Sequence, residues 1–213
     1  MTRFDTCDWG FPAPDTWPDD DVVAAGADLE PATLLYAYSH GMFPMHIDGL
    51  HRRLGWWSPL RRGVIPLDGL RVSRSMRRSE RRFTVTFDTC FEDVMTQCSD
   101  LRADGNWITQ EFVRSYSRLH RMGHASSVEV WNGDGELVGG LYGVRIDRFF
   151  AGESMFHRET DASKVALMHL VARLNAEGAQ LLDTQWCTEH LASLGCVEVP
   201  RREYLAMLGT AVD

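Results

Sequence analysis

The sequence predicts a mixed α/β (α+β) protein, a sheet flanked by helices and preceded by a small N-terminal unit. Three stretches carry that reading. Ser127–Phe156 alternates strand-length apolar runs with Asn-Gly and Asp-Gly turns, the pattern of a hairpin meander. Ala162–Ala176 sets Leu167, Leu170, Val171 and Leu174 at helical spacing on one face. Ala179–Leu182 is apolar and too short for a helix, which suits a buried strand.

Residues 1–58 read as the N-terminal unit and 59–213 as the main domain. Phe11–Asp21 is rich in Pro and Asp and is expected to be irregular. Acids before Pro31 mark a helix start; Leu34, Leu35 and Tyr38 give its apolar side, and Gly41 stops it. Met42–His46 follows as an aromatic-apolar loop. Trp56 and Trp57 are costly to expose and are expected to be buried where the two units meet.

Further along, Thr84–Asp88 alternates as a strand. Phe91–Cys98 puts Phe91, Val94, Met95 and Cys98 on one helical face. Asp104–Asn106 is a loop ending in Trp107, and a helix over about Thr109–Met122 aligns Phe112, Tyr116 and Leu119. Strands follow at Ser127–Trp131, Leu137–Ile146 and Phe149–Phe156. Gly139-Gly140 inside the second suggests a bulge or a close backbone approach. After the strand at Ala179, Thr188–Gly195 reads as a short helix stopped by Gly195. A meander, a helix, then a further strand and helix is the order of an acetyltransferase-like fold.

Composition narrows the function classes. The chain of 213 residues has room for a sizeable core, and no apolar run approaches the length of a membrane helix. The N-terminus lacks the basic start and apolar core of a signal peptide. Five cysteines, an odd number without a C-x-x-C pair, suit reduced thiols in a cytoplasm. The eight histidines are scattered and give no metal-ligand spacing.

Net charge is −8, yet the span from Arg52 to Arg82 holds ten arginines against Asp68 and Glu80 and stands at +8. A basic segment on an acidic body can hold a phosphate backbone locally, here through Arg77, Arg78, Arg81 and Arg82. A solvated loop face has the same composition.

The stretch with the clearest chemical content is Asp183-Thr184-Gln185, at the end of the last strand. Alternation turns Asp183 and Gln185 one way and Thr184 and Leu182 the other. A carboxylate and a carboxamide together at a strand end suit catalysis; an Asp that caps the following turn is the alternative.

These residues also carry a resemblance. D-T-Q followed by H-x-A-S-L-G is similar to the end of the catalytic domain of leucyl/phenylalanyl-tRNA–protein transferases. In the same order come GADL with AYSHGMFP (Gly26–Pro44), WWSP (Trp56–Pro59), SRSM (Ser73–Met76) and GNWIT (Gly105–Thr109). Then come HRMGHA, SVEVW, GGLYG, GESMF, ASK and PRREY, the last at Pro200–Tyr204. The resemblance runs from about Phe11 to about Leu208.

The resemblance implies an acetyltransferase-like catalytic domain and the movement of Leu or Phe, and Met, from aminoacyl-tRNA to the α-amine of proteins beginning with Arg or Lys. That marks them for degradation. It assigns Asp183 and Gln185 as the catalytic pair, Asp183 polarising Gln185 and the Gln185 carboxamide oxygen accepting from the attacking amine. Tyr38, Met45, Trp107 and Tyr116 match aminoacyl-tRNA contacts; the family usually has Trp where Met45 stands. Leu141, Glu153, Met155, Leu167, Leu170, Leu182 and Thr184 match the aminoacyl pocket. No cofactor or metal enters this reading. Two alternatives are a coenzyme-A-dependent acetyltransferase and a nonenzymatic RNA-binding module. The first meets a turn, His157–Ala162, with two acids and no glycine to cradle pyrophosphate. The second leaves Asp183 and Gln185 idle.

Overall fold

A computed structural model describes residues 7–47, 53–100 and 108–212. Three short strands and a helix come first: β1 (Val22–Ala25), α1 (Pro31–Ser39), β2 (Phe43–His46) and β3 (Leu54–Trp57). They form an antiparallel sheet in the order β1-β3-β2. Pro31 occupies the first turn of α1, where its missing N–H costs nothing. Gly41, at a φ of +86°, turns the chain out of the helix.

The main sheet has seven strands in the order β10-β4-β9-β8-β7-β6-β5. They are β4 (Arg61–Val64), β5 (Thr84–Phe87), β6 (Ala125–Trp131), β7 (Leu137–Ile146), β8 (Phe149–His157), β9 (Leu181–Gln185) and β10 (Val197–Pro200). Every neighbouring pair is antiparallel except β8–β9. That parallel pair needs a crossover, and α5 (Ala162–Ala176) supplies it. Mixed sheet, meander, crossover helix and flanking helices match the predicted fold class.

Two apolar layers cover the sheet. On one face α5 and α2 (Arg74–Glu80) pack through Val165, Leu167, Leu170, Leu174 and Met76. The start of α5 lies so close that a Cβ on Gly139 would meet the Ala162 Cβ at 2.5 Å, the close approach that Gly139-Gly140 suggested. The other face carries α3 (Phe91–Asp100), α4 (Gln110–Arg121), α7 (Arg201–Ala211) and the three-stranded sheet, in one continuous core. Tyr38, Trp56, Phe112, Tyr116, Tyr142 and Tyr204 are buried in it. The last helix to name is α6 (Glu189–Ser193), capped by the Thr188 hydroxyl, which accepts from Leu191 N at 3.2 Å.

Ser73 caps α2, its hydroxyl accepting from Met76 N at 3.2 Å. Several expectations need correction. The loop expected at Met42–His46 contains β2. Trp56 is buried as expected, but Trp57 is only half-buried and turns its indole edge to Trp186. The strand after α5 begins at Leu181, because Ala179 still donates to Leu174 O in the helix-ending turn. The loop at Asp104–Asn106 lies outside the described residues.

Candidate active site

The strands β8 and β9 run side by side through Phe149–Leu181, Phe150–Leu182 and Ala151–Asp183, and no further pairing joins them. Two departures from regular strand geometry sit just beyond the last pair. On β8 the register with β7 jumps from Ser154 to Gly152, so Glu153 is the extra residue of a bulge. On β9, Gln185 takes a left-handed backbone at φ +59°. The Gln185 carboxamide spans the gap between the strands, Nε2 donating to Glu153 Oε1 at 3.1 Å.

The left-handed turn separates the predicted pair. Asp183 points to the α7 side and is fully buried. Gln185 swings to the rim of a cavity on the α5 side that Leu182 and Thr184 also line. Strict alternation, which put Asp183 and Gln185 on one face, fails because the strand's geometry ends at Gln185. Asp183 reaches Gln185 only through its backbone, Oδ1 accepting from Gln185 N at 2.9 Å. The carboxamide donates to Glu153 and not to Asp183, so the expected polarisation of the Gln185 side chain by Asp183 has no direct hydrogen bond behind it.

The Asp183 carboxylate is saturated. Arg62 Nε donates to Oδ1 at 2.8 Å and Nη2 to Oδ2 at 2.6 Å, while the Tyr204 hydroxyl donates to Oδ2 at 3.0 Å. Arg62 Nη1 donates to Gly41 O at 3.1 Å, and its plane lies against the rings of Phe43 and Tyr204. Burial alone would lower the Arg62 pKa, but Asp183 and Tyr204 outweigh it and hold the guanidinium charged. Arg62 is thus no part of a basic face, although it counts in the charge of that span. Nothing in the sequence separates it from the nine other arginines around it.

Glu153 stands in the opposite state. Burial pushes its carboxyl up to about 8, and Asp183 adds to the rise, against hydrogen bonds from Tyr38 and Tyr116 and the charge of Arg62. Tyr38 on α1 and Tyr116 on α4 hold their hydroxyls 2.5 Å apart behind it. Burial raises both phenols well above their ordinary value. Neither lines the cavity.

The cavity has a volume of about 460 Å³. Leu141, Met155, Leu167, Leu170 and Leu182 form its apolar part; Glu153, Thr184 and Gln185 form a polar end. Phe43, Pro44 and Met45 close one side from β2, so the small sheet completes the wall. Trp186, Thr188, His190 and Leu191 line it as well, and sequence reasoning missed them. The run of Trp186 next to D-T-Q was the available signal. Phe43 and Trp57 meet the Trp186 ring edge-on at 5.2 and 5.9 Å, and Asp21 Oδ2 accepts from its indole at 3.1 Å. Trp107 lies outside the described residues.

Arg77, Arg78, Arg81 and Arg82 are exposed on and just after α2, on the sheet face that carries α5 and the cavity. Among the described residues no group of three or more His, Cys, Asp or Glu could hold a metal ion, and no helix is long and apolar enough to cross a membrane.

Known proteins with this sequence pattern are numerous. The family model for leucyl/phenylalanyl-tRNA protein transferase matches residues 64–209, and that for its N-terminal domain matches residues 27–60. The chain belongs to the leucyl/phenylalanyl-tRNA protein transferase family. A leucyl/phenylalanyl-tRNA–protein transferase of Herpetosiphon aurantiacus is 51% identical over 188 residues, covering 87% of this chain and 95% of the relative. One from Rhodopseudomonas palustris is 49% identical over 193 residues, covering 89% and 84%. Membership makes this chain an enzyme, a transferase. Among solved structures, L-PGS from Bacillus licheniformis is similar at 14% identity and a TM-score of 0.42, over 73% of this chain and 51% of that one.

Proposed function

We propose that this chain moves Leu or Phe from aminoacyl-tRNA to the α-amine of proteins that begin with Arg or Lys, in the cytoplasm, marking them for degradation. Residues 59–213 carry the catalysis and residues 1–58 complete the site. The observation that carries the reading is the cavity, with an apolar end and a polar end and nothing charged between. An apolar side chain of Leu or Phe size enters the part lined by Leu141, Met155, Leu167, Leu170 and Leu182. Its ester carbonyl then lies at the polar end, beside Gln185.

The reaction is the aminolysis of an ester that its tRNA has already activated. The enzyme needs to orient the two reactants and remove a proton. Gln185 suits the first task. Its NH2 is committed to Glu153, which leaves the carboxamide oxygen to accept from the incoming amine. Asp183 supports it at one remove, by holding the Gln185 backbone N–H. Met45 sits at the cavity rim, where the terminal adenosine of the tRNA would lie, and offers a sulfur and methylenes in place of an indole. The exposed arginines on and just after α2 are within the same face and suit acceptor-stem phosphates.

A coenzyme-A reading gains no support. At the turn before α5, Asp161 pairs with Lys164 at 2.8 Å and accepts from the Ser79 hydroxyl at 3.0 Å, which leaves a carboxylate where a pyrophosphate would need N–H donors.

The test is transfer of labelled Leu or Phe from tRNA to an Arg-initiated peptide by the purified protein. Transfer to that peptide, and none to the same peptide with its amine acetylated, is the expected result. Transfer to neither, with bound aminoacyl-tRNA left intact, would remove the reading.

A further inference from the structure

Glu153 is the carboxyl on the cavity wall, and a pocket for apolar side chains does not explain it. A buried carboxyl adds nothing to the binding of Leu or Phe. As the bulged residue of β8 it leaves the strand's alternation, and three elements converge on it. Gln185 of β9 donates to its Oε1 at 3.1 Å. Tyr38 of α1 and Tyr116 of α4 bring their hydroxyls to it. Arg62 of β4 and Asp183 of β9 face it as charges but are committed to each other at 2.6 Å. Tyr142 of β7 and His190 of α6 are the other titratable side chains described along the cavity.

The reaction needs a proton acceptor, because an α-amine arrives largely as an ammonium. Gln185 is a carboxamide and takes no proton. Asp183 lies off the cavity with every oxygen engaged. We infer that Glu153 takes the proton from the incoming α-ammonium while Gln185 aims the amine, an assignment that rests on the transfer reading above.

The atoms balance as follows. One of the three ammonium protons passes to the Glu153 carboxylate and from there to water. The freed lone pair on nitrogen attacks the ester carbon and forms the C–N bond. The bond from that carbon to the ribose oxygen breaks, a second nitrogen proton ends on the ribose hydroxyl, and the third stays on the new amide. The pKa of Glu153, pushed up to about 8, is close to that of an α-amino group, roughly 7.7–8.0, so the transfer is nearly even in free energy. The cation itself favours the ionised carboxylate as it enters.

Single-turnover transfer from Phe-tRNA, followed from acid to alkaline pH, tests this. Two acceptors are compared, an Arg-initiated peptide and the same peptide with an aminooxy group in place of its α-amine, which is far less basic and stays neutral outside the acid end of the range. With the ordinary peptide the wild-type rate rises with pH through an inflection near 8. Glu153→Gln should lower that rate by about 100-fold or more below pH ~8, and the loss should shrink at higher pH, where the peptide's α-amine is already free. With the aminooxy peptide the same variant should stay within about ten-fold of wild type, since no ammonium needs a base.

Glu153→Asp keeps a carboxylate set back by one methylene. It should retain the inflection and lose rate only with the ordinary peptide. Equal losses with both acceptors would mean that Glu153 merely positions Gln185, and would overturn the assignment. So would a loss in Glu153→Gln as large at alkaline pH as below pH ~8, or one that His190→Gln reproduces. A wild-type chain that transfers to neither acceptor overturns the transfer reading itself. An active wild type with an unaffected Glu153→Gln overturns the role of Glu153 alone.

Discussion

Arg62 and Asp183 meet edge to edge in the protein interior, two parallel hydrogen bonds at 2.8 and 2.6 Å joining residues 121 positions apart. The fork geometry of a guanidinium on a carboxylate suits this contact and no lysine could reproduce it. Neither group reaches solvent. Removing one partner strands the other as an unpaired buried charge. Asp183→Asn and Arg62→Met are each expected to cost about 3–5 kcal/mol, and the double variant less than the sum. Urea unfolding of the four proteins checks this; additive costs would show that the pair is not coupled.

Asp183 and Gln185 are also expected to fail together in activity. Asp183 fixes the backbone from which the carboxamide projects, so losing either removes the same aim. Asp183→Asn combined with Gln185→Ala should lose little more transfer than the worse single variant. Single-turnover transfer at saturating peptide, with tRNA binding measured separately, gives the comparison. Multiplicative losses would assign them independent roles.

The ionisation of Glu153 sets a dependence of stability on pH. Its carboxyl titrates near 8 in the folded protein against an ordinary 4.5. Between these values the native state holds a proton that the unfolded chain has released, so stability falls as pH rises through that window. Above it the penalty of the buried charge is complete. Glu153→Gln removes the titration and should melt close to wild type at pH ~4 and higher than wild type at pH ~9. Scanning calorimetry at the two pH values decides the matter, and a constant difference would contradict the shifted pKa.

The exposed arginines on and just after α2 are expected to read phosphate. Neutralising Arg77, Arg78, Arg81 and Arg82 together should weaken tRNA binding. The slope of log affinity against log salt should fall in magnitude by up to about 0.9 for each phosphate that no longer meets a guanidinium. Binding titrations at several salt concentrations measure it. An unchanged slope would return these side chains to the role of a solvated surface.

Leu182 bounds the apolar part of the cavity. Leu182→Phe should fill part of it and reduce Phe transfer more than Leu transfer. Overpacking by about 1–3 kcal/mol is the accompanying cost to stability, so melting is measured alongside. Equal loss for both amino acids in a stable variant would count against the pocket assignment.

Elements with a strong period were legible from the residues. The helix Ala162–Ala176 has its expected bounds, and the meander from Ala125 to His157 has the expected turns. The four-residue strands β1 to β4 were not legible. Pro in β2, Gly in β3 and adjacent arginines in β4 hide their character, β1 is four small or branched apolar residues with no alternation, and their partners fix all four more than their own pattern does. The site divides along the same line. Leu141, Met155 and Leu182 matched a pocket and do line one. Arg62 looked like one more surface charge, and the bulge at Glu153 and the left-handed Gln185 are backbone events that no side-chain pattern announces. Alternation therefore put Gln185 on the wrong face.

The strand order of the main sheet has a consequence for how this protein is made. Strand β4, at Arg61–Val64, lies between β9 and β10, at Leu181–Gln185 and Val197–Pro200. Both of its neighbours leave the ribosome more than a hundred residues later than it does. For most of synthesis β4 presents two open edges, and the Arg62 charge waits without Asp183. The meander β6–β8, which pairs only with its own neighbours in sequence, can close early. Strand β9 then slots between β8 and β4 as one of the last events, so the proposed site takes shape only late in synthesis.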